Sequence, residues 1–448
     1  MKAITQNGSF ILMGAAAMAL GFAAPAAAEV NVQCPDWPTD FDATEPGVGI
    51  KSSYKCLHFT ASDGFAKMGD DSRLYMFGFT DHTDDTFKVD GEPATGGGKA
   101  KNTIEYTDAA GNTVVENGLL RANSSSPTIA LDEGDRLFLT LTNPGMIVRP
   151  DLFDAHTVHY HGFPNASSIF DGVPEASIAI NEGASLTYFY NNVRPGTYMY
   201  HCHFEATEHM QMGMLGNLYV RPAQNRLPDG TMLGDYLHSN PDAGAAYDDA
   251  TVGDKYVYND QDGSTRYDVE YPIQISSFDG NFHTASETVQ PLPFAEMRDN
   301  YAMLNGRGYP DTVIPADGDP ANEIDNGNGD FTQKISSLIQ ANAGQKILLR
   351  ISNLNVTNYY TLAVMGLKMK IVGKGSRLLR GRGDTDPANH DLYYETASVT
   401  LGGGESVDAI IDTTGVAPGT YLLYTTNLNF LSNNQEDLGG MMTEIVVN

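Results

Sequence analysis

The chain is poor in cysteine and in positive charge. Three cysteines in 448 residues are too few to build a disulfide scaffold. Only 27 Lys and Arg stand against 56 Asp and Glu, a formal net charge of −29. Nucleic-acid binding relies on cations that neutralise phosphates, so this balance excludes it as a partner class. Docking on an anionic membrane surface is disfavoured for the same reason. Long apolar runs are also missing. The one apolar stretch, Phe10 to Ala24, is short and Ala-rich, and no other segment approaches the 18 uninterrupted apolar residues of a membrane span. What remains, with 41% hydrophobic and 19% charged residues, is a globular composition.

The N-terminal stretch has a specific reading. Lys2, the apolar core, and Ala26-Ala27-Ala28 before Glu29 form a cleavable secretory signal over residues 1–28. The mature chain is then expected in a periplasm or outside the cell, where paired cysteines oxidise and an odd one needs an explanation. Cys34 and Cys56 are 22 residues apart and available to each other. Cys202 is left alone.

Past the signal, short runs of Val, Ile, Leu, Tyr, Thr and Phe alternate with Gly, Pro, Asn and Asp, as in Arg136–Thr142, Ser185–Tyr190 and Ser406–Ile411. That texture predicts an all-β protein of sandwich or barrel type. An internal repeat divides it. Asp135-Arg-Leu-Phe-Leu-Thr-Leu-Thr-Asn143 matches Gln345-Lys-Ile-Leu-Leu-Arg-Ile-Ser-Asn353, and Gly196-Thr-Tyr-Met-Tyr200 matches Gly419-Thr-Tyr-Leu-Leu423. Two copies of one β-domain are expected, at about 70–222 and 266–448, with an extension at 29–69 and a linker at 223–265. The acidic Asp317–Asp330 segment and Arg382-Gly383-Asp384 read as solvated loops.

Six of the eleven histidines crowd between 156 and 209. They stand in His156-Thr-Val-His159-Tyr-His161-Gly162 and in His201-Cys202-His203, followed by His209 and Met214. On a strand, residues two apart share a face and odd separations change it. His159 and His161 therefore point one way with His201 and His203, if the two strands are neighbours. His156 and Cys202 point the other way. Two imidazoles, a thiolate and a thioether make the trigonal donor set of a blue-copper centre, with His156, Cys202, His209 and Met214 as ligands. This gives the unpaired Cys202 its role. Met210 and Met212 compete with Met214 for the axial place.

Residues 156–220 resemble the multicopper oxidases in HxxHxHG, in Asp171-Gly172-Val173-Pro174, in GTYMYHCH and in Gly213-Met214-Leu215-Gly216. The resemblance implies two cupredoxin-like Greek-key β-domains. It implies a type 1 copper on His156, Cys202, His209 and Met214, a type 2 ligand in His159, and type 3 ligands in His161, His201 and His203. Asp171 and Glu205 fall where the family places acids that supply protons during O2 reduction. An electron donor, either a small molecule or a protein, and O2 as acceptor are the implied partners, and a homotrimer is the implied assembly.

Two departures stand out. The stretch from Cys202 to His209 is two residues longer than the family usually has. The second repeat carries Tyr360, Ala363 and Met365 opposite the first histidine motif, and Tyr424, Thr425 and Thr426 opposite His201-Cys202-His203, so it reads as copper-free. His58, His82, His238, His283 and His390 show no HxH pairing and read as ordinary surface or core residues. Two other functions stay open. One is a non-catalytic blue-copper electron-transfer protein. The other is nitrite reduction, although His159 then replaces the Asp of HxxDxH and His203 is extra.

Overall fold

In the computed structural model, the described residues are 29–31, 54–83, short strands between 88 and 116, and 120–163, 167–190, 194–226, 255–260, 262–288, 291–317, 319–326, 331–381 and 390–448. The signal segment 1–28, Cys34, His238, Arg382-Gly383-Asp384 and parts of the 223–265 and 317–330 stretches lie outside them. Cys56 is disulfide-bonded and Cys202 is a buried free thiol. Among the described residues no helix is long and apolar enough to cross a membrane.

The chain is all-β, in two sandwiches that repeat one topology. The first contains β1 (Tyr54–Lys67), β2 (Arg73–Asp81), β3 (Ser126–Asp132), β4 (Arg136–Thr142), β5 (His159–His161), β6 (Ser185–Tyr190), β7 (Gly196–His201) and β8 (Leu215–Arg221). One sheet runs β6-β4-β1-β2 and the other β5-β7-β8-β3. β4 lies parallel to β1 and β8 parallel to β3, and the remaining pairs are antiparallel. Side chains alternate across each sheet, so Phe59, Leu139, Tyr160, Tyr188, Tyr200 and Leu218 meet in a core between the two layers.

The strand Tyr54–Lys67, assigned from sequence to an N-terminal extension, is instead an inner strand of this sandwich. Ser62, Asp63 and Gly64 break its apolar alternation. Asp63 is nevertheless fully buried, because Tyr75 Oη and the main-chain N–H groups of Ile147 and Val148 donate to its carboxylate. A buried polar group so satisfied is compatible with a core strand.

The second sandwich repeats the pattern. It is built from β9 (Val269–Phe278), β10 (Tyr301–Leu304), β11 (Ile339–Ala341), β12 (Lys346–Asn353), β13 (Tyr360–Val364), β14 (Met369–Lys374), β15 (Arg377–Leu378), β16 (Tyr394–Thr396), β17 (Ser398–Leu401), β18 (Glu405–Asp412), β19 (Gly419–Thr425) and β20 (Met442–Val447). Its sheets run β10-β9-β12-β18-β14-β15, with β16 on β14, and β11-β20-β19-β13-β17. The matched segments occupy matched places. β12, like β4, has a parallel neighbour, and β19, like β7, runs antiparallel between two strands. The hairpin Lys255–Tyr267 packs on the first of these sheets, with Val257, Tyr258 and Tyr267 against Leu348, Val372 and Ile410.

Candidate copper sites

β5 and β7 pair in a register that sets His159 opposite His201 and Tyr160 opposite Tyr200. Directly opposed residues share a face. The histidines therefore stand on one side and the tyrosines enter the core. Cys202, one residue past the end of β7, turns to the core side, where it is fully buried.

On that side Cys202 Sγ lies 3.2 Å from His209 Nδ1 and 4.0 Å from His156 Nδ1. The two imidazole centroids are 5.0 Å apart, and the main-chain N–H of Thr157 points at the sulfur from 3.4 Å. His156, Cys202, His209 and Met214 have no exposed surface. The extra residues between Cys202 and His209 are taken up by a short helix, α1 (Ala206–Gln211). Met214 follows a turn at Gly213, whose φ of +115° leaves no room for a side chain: a Cβ there would sit 2.5 Å from Met76 Cε. The turn brings Met214 N to His209 O at 2.8 Å and Met214 O to Cys202 N at 3.1 Å. Met214 is thus tied by its main chain to both neighbouring ligands. Met210 faces the other way and lines the four-histidine cavity.

The donor set fits copper. The Nδ1 atoms of His156 and His209 both face Cys202 Sγ, and donor atoms of the three residues lie within 4.8 Å of one another. Burial drives His209 down to about 3 and His156 well below the ordinary histidine range, so both rings are neutral and can ligate. Burial raises the Cys202 thiol to about 12. A thiolate here requires a cation beside it.

A pH dependence follows. Above about pH 8, beyond Asp154 at about 6 and Glu208 at about 7, copper uptake should release a single proton, from Cys202. The apparent affinity should then rise about tenfold per pH unit until the thiol ionises by itself. Calorimetric titration in buffers of different ionisation enthalpy counts that proton. Uptake without proton release would show that the thiol is not the ligand.

On the opposite face, four imidazoles surround one space. His159 lies 5.8, 5.2 and 5.0 Å, ring to ring, from His161, His201 and His203, and His201 is stacked 5.5 Å from His203. Ligand atoms of His159, His161 and His201 all fall within 4.8 Å of one another. His159 Nδ1 lies 2.6 Å from Asp171 O and His201 Nδ1 lies 2.8 Å from Cys202 O, so each ring donates from Nδ1 and keeps Nε2 free as an acceptor. That is how ligating histidines are usually oriented. The rings border a cavity of about 440 Å³, lined on its far side by Leu354 to Tyr359 and by Gly403 and Gly404 of the second sandwich. Gly404 has no spare room, since a Cβ there would be 2.8 Å from His161 Nε2. Among the described residues the second sandwich brings no histidine to this cavity.

The two acids separate. Asp171 stands beside the four-histidine face, its carboxylate 3.6 Å from His159 Nδ1 as well as its carbonyl accepting from that ring. Glu205 falls beside the other site, with Asp154 and His209 in one group of possible ligand atoms. Asp154 Oδ2 is 3.9 Å from His209 Nε2. Burial first, then neighbouring carboxylates, raises Asp154 and Glu208. This acidic flank was not read from the sequence, although Asp154 lies only two residues before His156. His58, His82 and His283 are buried core residues.

A fold of paired β-sandwiches and a buried Cys-His-His-Met set beside four clustered histidines define a copper protein of the cupredoxin kind. Two multicopper oxidase family models match residues 103–225 and 282–447, together more than half of the chain, and the chain belongs to the multicopper oxidase family. A laccase of Aspergillus fumigatus is 31% identical over 142 residues, 30% of this chain and 23% of the laccase. A copper-containing nitrite reductase of Pseudomonas chlororaphis is 28% identical over 190 residues, 40% of this chain and 42% of that protein. The matched region is thus under half the length of these curated relatives. In fold, the chain is similar to the blue copper oxidase of Nitrosomonas europaea, with a TM-score of 0.54, 18% identity, and coverage of 88% of this chain and 86% of the other. Copper is its cofactor, and the His156, Cys202, His209 and Met214 cluster resembles a type 1 copper site.

Proposed function

We propose that the chain is an exported copper oxidoreductase that accepts electrons from a small-molecule or protein donor at the type 1 site and delivers them to copper on the four-histidine face, where O2 is reduced. The observation that carries this reading is the cavity itself. Electron transfer alone needs neither four converging imidazoles nor a space of about 440 Å³ in front of them. Bound copper supplies one-electron redox chemistry, and imidazole nitrogens favour Cu(II) among the divalent metals.

The chain's own residues do the rest. Cys202 is bonded through the main chain to His201 and His203, so the buried thiol and two cavity imidazoles share a short covalent path. Asp171 holds His159 in the tautomer that presents Nε2, its carbonyl accepting from Nδ1 and its carboxylate 3.6 Å from the same nitrogen, and it is proposed as the acid that supplies protons. Four imidazoles suit one or two coppers, not the three of an eight-histidine cluster. The second sandwich is therefore proposed to be copper-free, and a neighbouring copy in a trimer is proposed as a source of further ligands. Export rests on residues 1–28.

Fully reconstituted protein should hold two or three coppers per chain and show a second copper signal beside the blue one. His159→Ala should remove that second signal, leave the blue band in place, and lower donor-driven O2 uptake at least about 100-fold, since a ligand matters more than the outer-shell partners whose loss costs about 10–100-fold. One copper per chain, or no O2 uptake by the parent protein, would leave the electron-transfer reading in its place. The nitrite reductase relative gives the third reading its only support, and nitrite turnover without O2 uptake is its signature.

A further inference from the structure

Two side chains of the second sandwich meet at one residue of the type 1 loop. Gln211 is the last residue of α1, two positions after His209 and three before Met214, and it is buried. Its main-chain oxygen lies 2.8 Å from His283 Nε2, and its side-chain Nε2 donates to Asp299 Oδ1 at 2.9 Å. His283 is carried by α2 (Gly280–Ser286).

Each anchor is itself fixed. His283 Nδ1 lies 2.6 Å from Tyr75 O on β2. The same strand donates Phe77 N to Met212 O at 2.8 Å and sets the Phe77 ring edge-on to His209. Burial lowers the His283 ring to about 4 although the two carbonyls favour its charged form, so the ring is neutral and its one N–H donates to one of the two carbonyls. Asp299 also accepts from Ser277 and from Thr357, and Thr357 belongs to the segment that lines the far side of the four-histidine cavity.

The loop needs such a hold. Between Cys202 and His209 the chain leaves its strand and turns into α1, and each residue there brings backbone freedom that must be frozen for the donors to stay together. Side chains outside the ligand shell supply that order in metal sites. We propose that Asp299 and His283 are positioning residues through which the second sandwich holds the type 1 loop, fixing His209 and Met214 relative to Cys202. The second sandwich then has a task at the type 1 site although none of its described residues stands among the proposed ligands. The proposal rests on the type 1 reading of this loop and is independent of what happens at the four-histidine face.

The test uses the full chain loaded with copper, with His283→Gln and Asp299→Leu as variants of similar size and Gln211→Leu as a third. Four properties are compared with the parent: the blue thiolate-to-copper band, the EPR splitting, the reduction potential, and copper retention against a chelator. Each variant should bind copper about 10–100-fold less tightly and shift the band and the potential. Gln211→Leu should add little on top of Asp299→Leu, because both remove the same bond, but should add to His283→Gln. Arg380→Gln, which disturbs ion pairs to Asp262 and Asp391, should lower the melting temperature and leave the blue band unmoved. Variants that lose stability but keep the parent's band, potential and copper affinity overturn the proposal. A parent protein with no blue band fails the type 1 reading first, and the proposal falls with it.

Discussion

Cys202→Ser should bleach the blue band completely, remove one copper per chain and lower donor-driven turnover by more than about 100-fold, beyond the range seen for outer-shell partners. The sulfur is the soft donor of the set, and a serine hydroxyl is a hard, neutral oxygen that does not replace a thiolate toward copper. The substitution is close to isosteric. The thiol is wholly buried, lies 3.2 Å from His209 Nδ1 and accepts from Thr157 N at 3.4 Å, and is 3.5 Å from Phe204 O, which a hydroxyl can reach as donor. The fold should therefore survive with a loss of about 1 kcal/mol, the usual scale of a single change. Absorption, EPR and copper analysis on one preparation decide the matter. A variant that stays blue would place the centre elsewhere, and one that loses both copper signals would show that the two faces do not load independently.

Much of this arrangement was legible because it is local. The period of two along a strand predicts that His159 and His161 share a face and that Cys202 leaves it, and the β5–β7 register adds only the neighbour relation between the two motifs. The repeat was legible for the same reason, since Asp135–Asn143 and Gln345–Asn353 preserve an alternation that any copy of the domain must keep. What escaped was polar or distant. The inner strand Tyr54–Lys67 hides behind Ser62, Asp63 and Gly64, whose burial makes sense only once Tyr75, Ile147 and Val148 are seen to satisfy Asp63. The bonds from Gln211 to Asp299 and His283 span 88 and 72 residues, and a contact that long leaves no periodic trace. Glu205 shows a third limit. Its place in the motif fits a proton donor for the four-histidine face, yet α1 starts immediately after it and carries it toward His209.

The largest loss of stability should follow Asp408→Ala, at about 3–5 kcal/mol, the cost of removing one partner from a buried ion pair. Asp408 is fully buried on β18 and receives three kinds of partner from two sandwiches. Thr197 Oγ1 on β7 donates to Oδ1 at 2.5 Å, Tyr258 Oη donates to Oδ2 at 2.6 Å, and Arg350 Nη1 lies 3.4 Å from Oδ1. Arg350 is also fully buried and bonds Glu270 at 3.0 Å, with its guanidinium 4.8 Å from the centre of the Tyr219 ring on β8. Burial works against ionisation of Glu270, but Arg350 and Arg221 together hold its carboxyl below the ordinary range. Removing Asp408 leaves Arg350 half compensated and strips two buried hydroxyls of their acceptor. Asp408→Asn keeps an acceptor for one of them and should cost less, which separates charge from hydrogen bonding. The position gives the loss a functional direction. β7 runs from Thr197, bonded to Asp408, to His201, one of the four cavity imidazoles, so loosening this joint should disturb the four-histidine face before it disturbs Cys202. Denaturant unfolding measures the first effect, and the ratio of the two copper signals below the unfolding transition measures the second. A loss below about 1 kcal/mol, the scale of an exposed ion pair, would mean that this joint does not hold the two sandwiches together.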